Sequence, residues 1–255
     1  MSTVLIEQKN PQITVATLNR PERRNALTIE LLSELCTAIE AAEAEEQCRI
    51  LILRGAGKAF CAGLDLQETL VTEDAHRSAG MVGRTLRAIA ETRLITIAQV
   101  HGAAVAGGAG LMSACDFVIA TARTKIGYPE GRRGLVAGLV LTFLRRQLRE
   151  RDIRELLFTG DLITAERAKE MGLINRVVAP DELENETEKI VSSILQNAPN
   201  ALAQTKRLIE ELWSSPVRKD VEHALHYHTQ ARESDEAKEG IAAFLEKRSP
   251  RWMTD

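Results

Sequence analysis

An α/β fold with parallel strand pairing is predicted by three features of this 255-residue chain. Two continuous apolar runs, "RILILRG" and "LITIAQVHG", have the composition of strands buried on both faces. A third strand, "DFVIAT", follows in the same rhythm, with helix-period or glycine-punctuated segments between the runs. Strand, helix, strand, helix in that order calls for right-handed crossovers within one sheet.

The elements follow in chain order. "TVLIEQ" and "ITVATL" are rich in β-branched residues and read as a hairpin across "KNPQ". "NRPERRNALT" is a loop whose Thr28 caps a helix from Ile29 to about Ala44, with Leu31, Leu32, Leu35, Ile39 and Ala42 as its apolar stripe. "GAGKAFCAGLDLQ" is a turn, and a helix runs from about Glu73 to Glu91 on Met81, Leu86 and Ile89. Glycines 107, 108 and 110 open the next helix. "LRRQLRERDIRELL" has the pattern of one solvated amphipathic helix. From Asp181 onward the period is helical almost throughout, punctuated by Pro199 and Pro216. The expected division is an α/β core over 1–195 and a helical C-terminal segment over 196–255.

Composition narrows the function classes. The chain is 44% hydrophobic and 27% charged, with net charge −3, which is ordinary globular composition. That charge gives no electrostatic reason to expect a nucleic-acid or membrane partner. No apolar run approaches the roughly 18 residues of a spanning helix. "MSTVLIEQKN" lacks a basic stretch followed by an apolar one, so no secretory signal is expected. Cys36, Cys48, Cys61 and Cys115 stand singly, as reduced thiols of a cytoplasmic protein do, and form no zinc-ligand spacing.

Two segments combine small residues with a strand-to-helix transition: Ala59–Asp65, "AFCAGLD", and Val105–Gly110, "VAGGAG". The first N–H groups of a helix have no internal partner and favour negative charge. Two such turns facing each other form an oxyanion hole, whereas glycines after a strand also serve plain helix-on-sheet packing. Neither segment matches a nucleotide fingerprint.

"NRPERRNALT", "GKAFCAGLDL", "QVHGAAVAGGAGLMSACDFVIAT", "IGYPEGRRGL", "FTGDLITAERAKEMGLINRVV" and "EGIAAFLEKR" occur in the order seen in the crotonase superfamily of enoyl-CoA hydratases and isomerases, which this chain resembles from about residue 4 to 250. The resemblance implies a spiral of ββα turns forming two nearly perpendicular sheets, with C-terminal helices, and homotrimers or dimers of trimers. It implies an acyl-CoA substrate, with coenzyme A carried by the substrate and no separate cofactor. It places the thioester oxygen between the N–H groups of Leu64 and Gly107, and the adenine near Ala62 and Asp65. A lysine-bearing C-terminal helix, usually from a neighbouring subunit, corresponds to Phe244 and Lys247. Arg23 and Arg24 lie where basic residues of the family meet CoA phosphates; a solvated loop is the alternative.

Hydratases of this family use two glutamates, one in "GGGxE" and one after proline in "PE". The second is Glu130 here; the first position is Gly110. Hydration needs a water at the β-carbon and a proton for the α-carbon, a task two carboxylates share. One carboxylate suffices to move a proton between carbons, which is the Δ3,Δ2-enoyl-CoA isomerase reaction. Isomerisation is therefore favoured. Hydration and a catalytically reduced acyl-CoA-binding subunit are the alternatives, with Glu68, Glu73 and Asp74 as possible replacement carboxylates. Desolvation is expected to raise the Glu130 pKa toward neutrality. His223, His226 and His228 in "HALHYHTQ" are expected at a helix surface or subunit contact, not on a metal. His101 and Asp116 read as structural, and Cys61 lacks a base nearby in sequence. Arg132 and Arg133 bind a carboxylated substrate or support Glu130 by ion pairing, the second being preferred.

Overall fold

The computed structural model describes residues 2–68, 72–213 and 215–253, with the side chains of 72–75 outside that set. The hairpin forms as expected: β1 (Val4–Asn10) runs antiparallel to β2 (Ile13–Leu18). α1 (Ile29–Ala44) starts where the cap predicts, with Thr28 Oγ1 accepting the Leu31 N–H at 3.2 Å. β3 (Ile50–Gly55), α2 (Thr72–Glu91), β4 (Ile95–Val100), β5 (Ala103–Val105), α3 (Gly107–Ala114), β6 (Phe117–Thr121) and β7 (Lys125–Gly127) follow. Then come α4 (Gly138–Gln147), α5 (Glu150–Thr159), β8 (Ile163–Thr164), α6 (Ala165–Met171) and β9 (Arg176–Val178). The chain closes with α7 (Leu183–Leu195), α8 (Pro199–Glu211), α9 (Val217–Arg232) and α10 (Asp235–Glu246).

One six-stranded sheet has the order β1-β2-β3-β4-β6-β9, parallel from β2 onward. A three-stranded sheet has the order β5-β7-β8. Successive segments alternate between them: β4 then β5 then α3, and β6 then β7 before α4. The turn after β3 joins the small sheet through a lone bridge between Cys61 and Ala104, ahead of α2. That alternation is the ββα spiral. The short strands, two or three residues each, fall below the length at which periodicity is readable.

The central strands β2, β3, β4 and β6 are buried on both faces, which is why they read as apolar runs. Leu51 and Leu53 of β3 point into a core with Leu31 and Leu35 of α1 and Leu86 and Ile89 of α2. Ile50 and Ile52 point the other way, toward Ile97, Ile119 and the α7 residues Val191 and Ile194. Lys206 of α8 is buried and ties that helix to the sheet ends, its Nζ donating to Leu94 O at 2.8 Å and Asp116 Oδ2 at 2.7 Å. Asp116 is structural, as expected, and also accepts the Thr96 N–H at 2.8 Å.

"LRRQLRERDIRELL" departs from the expected single helix. Leu148 (ψ 155°) and Arg149 (ψ 147°) are extended, so α4 and α5 are separate. Each half follows a different neighbour: α4 packs on α3 and α9, and α5 on the turn at Pro129–Arg133. Among the described residues no helix is long and apolar enough to cross a membrane.

Removing the cap hydroxyl leaves one α1 N–H unsatisfied. Thr28→Ala is expected to lower unfolding free energy by about 1 kcal/mol, read by urea denaturation.

Candidate active site

The two glycine-punctuated turns meet. The Cys61 N–H donates to Ala103 O and the Val105 N–H to Cys61 O, both at 3.0 Å. Gly63, at φ 93°, sits so that a Cβ there would lie 2.9 Å from Val105 O and 3.7 Å from Gly107 N. A Cβ on Gly108 would lie 2.5 Å from Cys61 O and 2.7 Å from its Sγ, so α3 seats on the first turn only because residue 108 has no side chain. Ala106 carries the chain into α3 at φ 50°, ψ −124°, a conformation strained for any residue but glycine, and its N–H is held by Gly127 O at 2.8 Å. In the turns and loops, neither the Leu64 nor the Gly107 N–H donates to a backbone carbonyl among the described residues. Both residues line one cavity of about 80 Å³.

Glu130 lines the same cavity from the turn at Pro129–Arg133. It is 8% exposed, and its Oε2 has no hydrogen-bond partner among the described residues. Burial pushes the carboxyl up to about 7, against the lowering effects of a backbone N–H and of the Arg133 charge. The remaining wall is mainly apolar, with Leu66, Ala79 and Val82 on one side and the segment 135–137 leading to Leu139 and Val140 on the other. Cys61 is buried, its thiol pushed up to about 12 by burial and donating to Asn25 O at 3.0 Å, which suits packing rather than nucleophilic attack. His101 is structural, within 2.9 Å of Gly57 O through Nε2.

The expectation of ion pairing at Glu130 needs correction. Arg132 binds Asp161 and donates from Nε to Thr159 O at 3.1 Å. Arg133 reaches Pro129 O at 3.1 Å from Nη1 and lies over the Phe244 ring at 4.3 Å. Its charge acts on Glu130 through space, and burial pulls its own pKa down.

Of the other residues singled out in sequence, Ala62 and Phe244 line the cavity. Asp65 is buried 3.1 Å from Arg20 and 3.6 Å from Arg23, holding the loop before α1 rather than forming wall. Arg24 is exposed; its carbonyl accepts the Ala62 N–H at 3.0 Å and its guanidinium forms no ion pair among the described residues. Lys247 is exposed at the left-handed end of α10. A Cβ at Gly110 would lie 2.8 Å from Val140 Cγ1 and 3.6 Å from Leu86 Cδ2, so Val140 fills the space beside the missing carboxylate. Glu68 does not replace it, since its Oε2 accepts the Ile29 N–H at 3.0 Å. Glu73 and Asp74 lie outside the described side chains. Among the described residues, Glu130 is the one carboxylate lining the cavity.

Within the chain, α10 packs on the turn that carries Glu130, with Gly240 against the Arg133 backbone and Glu236 against Gly134. One further expectation changes: "HALHYHTQ" is not all surface. His223 and His226 are exposed, edge-on to Tyr227 with ring centroids at 5.2 and 6.0 Å. His228 is 6% exposed, lines the cavity, and has Nδ1 3.1 Å from Val136 O. The signal was present: Val217, Val221, His228 and Arg232 form the buried stripe of α9.

Comparison with known proteins agrees with this architecture. The family model described as enoyl-CoA hydratase/isomerase matches residues 8–255. A Thermus thermophilus protein with a provisional enoyl-CoA hydratase name is 36% identical, covering 97% of this chain and 100% of its own. The crotonyl-CoA hydratase of Syntrophomonas wolfei is 32% identical over 98% of both chains. The crystal structure of an enoyl-CoA hydratase from Mycobacterium avium superposes with TM-score 0.86 at 32% identity, covering 99% of this chain and 100% of that one. With the spiral, the facing turns and these matches together, the chain belongs to the enoyl-CoA hydratase/isomerase family of the crotonase superfamily.

Proposed function

We propose that this protein converts a 3-enoyl-CoA to the 2-enoyl-CoA, with Glu130 as its single acid–base group. The observation that carries this reading is the one carboxylate among the described residues of the cavity wall. As carboxylate, Glu130 takes a proton from C2 of the thioester. The electron pair moves into the dienolate, and the oxygen charge lies between the Leu64 and Gly107 N–H groups, at about 3 kcal/mol per donor. As acid, Glu130 returns the proton at C4 and is restored. A carboxyl near 7 populates both forms at neutral pH, as such a shuttle needs.

The substrate's coenzyme A would lie along Ala62 and Asp65, with Arg24 and Lys247 offering exposed cations to its phosphates and Phe244 at the rim. Coenzyme A enters with the substrate, and no metal or redox group takes part in the proposed steps. A cytoplasmic homotrimer or dimer of trimers fits the family, and Leu208 and Ile209 of α8, with Leu212 just past its end, offer exposed apolar side chains for such contacts. Hydration is the second reading, favoured by the hydratase names of the relatives. A purely binding subunit is disfavoured by the two intact amide turns, which such a role does not require.

The deciding assay offers a 3-enoyl-CoA and crotonyl-CoA to wild type and Glu130→Gln. Isomerisation by wild type, lower by about a hundredfold or more in the variant, supports the reading. Hydration outpacing isomerisation sinks it. The kcat/KM for isomerisation is expected to rise with pH and level off above about 7, because the reaction starts from the carboxylate.

The same carboxyl sets a stability signature. Its folded pKa lies above its unfolded value, so the native state holds the proton more tightly and wild-type stability falls as pH rises from 4.5 through about 7. Glu130→Gln removes that dependence and is expected to gain up to about 3 kcal/mol relative to wild type between pH 4 and pH 8, read by denaturant melts at both pH values.

Gly110→Glu alone is expected to lose stability by about 1–3 kcal/mol against Val140. Gly110→Glu with Val140→Ala makes room for the second carboxylate and is expected to raise crotonyl-CoA hydration about tenfold or more.

A further inference from the structure

His228 belongs to the cavity wall, yet nothing in the proton shuttle uses it. It reaches the site from α9, which packs against α2 and α4. The ring is held by Nδ1, 3.1 Å from Val136 O in the segment between Glu130 and α4. A backbone carbonyl only accepts, so Nδ1 carries the hydrogen and a neutral ring leaves Nε2 with a bare lone pair. Nε2 is buried and has no hydrogen-bond partner among the described residues.

The ring is kept neutral. Burial holds its pKa below the usual histidine value, the Val136 carbonyl opposes that, and the charge of Arg232 on the same helix adds to the lowering. Glu130 and Arg133 are the other titratable groups of the wall. What Nε2 lacks is therefore a hydrogen-bond donor among the described residues. An alkyl chain offers none, and a thioester carbonyl is itself an acceptor. A buried acceptor left unpaired is unfavourable, so a ligand that supplies the donor is selected.

We infer that His228 is a specificity-determining residue of the acyl cavity, its Nε2 accepting a hydrogen bond from an O–H group brought in either on the acyl chain or as a water beside it. This rests on the reading that the cavity takes the acyl end of a CoA thioester. It goes beyond the single-carboxylate shuttle, which needs no such group.

The test uses His228→Asn and His228→Gln. Asparagine can keep the bond to Val136 O but places no acceptor at the Nε2 position; glutamine places one there. Butyryl-CoA and 3-hydroxybutyryl-CoA binding is measured by calorimetry in Glu130→Gln protein, so that neither thioester turns over. With His228, the hydroxylated thioester is expected to bind about tenfold tighter or more, the ratio falling to within about twofold in the asparagine variant and recovering in part with glutamine. That outcome assigns the O–H to the acyl chain. No preference in binding, but crotonyl-CoA hydration that drops about tenfold in otherwise wild-type His228→Asn and recovers with glutamine, assigns it to water.

Binding ratio and hydration both unchanged in His228→Asn overturn the inference, as does equal loss in both variants with a lowered melting temperature, which marks a packing role. Isomerisation of a 3-enoyl-CoA is followed in parallel. Its absence counts against the isomerase reading alone, whereas protein that binds no CoA thioester removes the acyl-CoA premise and this inference with it.

Discussion

The site depends on two backbone hydrogen bonds that lock Cys61 between Ala103 and Val105. They fasten the turn after β3 to the edge of the small sheet and set Leu64 and Gly107 around one space. Asn25 holds the same turn from the other side. At φ 54° it donates from Nδ2 to Ala56 O at 2.9 Å, Ala59 O at 2.8 Å and Phe60 O at 3.1 Å, and it accepts the Arg20 N–H at 2.9 Å. Asparagine tolerates the left-handed conformation better than most residues, so one side chain both turns the chain and satisfies buried carbonyls. The Asp65–Arg20 pair closes the loop again a few residues later. Donors aimed at a developing charge help only if they need not reorganise, and this layered bracing supplies that rigidity.

The chemistry is tuned by what surrounds one carboxyl rather than by many reactive groups. Glu130 is raised by lost solvation and restrained by Arg133, which stands off as a charge instead of forming a contact pair. A direct ion pair would hold the group ionised and weaken it as an acid. Opposite it, Val140 and Leu86 turn the Gly110 region into hydrocarbon. Backbone close packing and acid–base capacity are thus exchanged at a single position, and the neighbour at 140 has to be considered with it.

Much of this was legible in the chain. The central strands of the large sheet declared themselves because both faces are buried, and Thr28 marked the start of α1 because its cap chemistry is local. The facing turns and Glu130 were readable from glycine spacing and the ordered motifs. Three matters were not. The short strands β5, β7, β8 and β9 are defined by distant partners, not by their own two or three residues. The break at Leu148 is tertiary: α4 and α5 answer to different neighbours, and helical periodicity does not register that. His228 differs from His223 and His226 only by its place on the buried stripe of α9, which spacing within "HALHYHTQ" alone does not show.

The placement of α10 ties the last helix to the turn that carries Glu130. A Cβ on Gly240 would lie 2.5 Å from the Arg133 carbonyl carbon, and one on Gly134 would lie 2.4 Å from the Glu236 carbonyl carbon. Backbone meets backbone at both points, so neither side can give by swinging a side chain aside. A bulkier residue at position 134 or 240 would push the helix and the turn apart, and the carboxyl would move with the turn. The acyl end of the cavity is thus shaped from outside its own wall, by two positions that never face it.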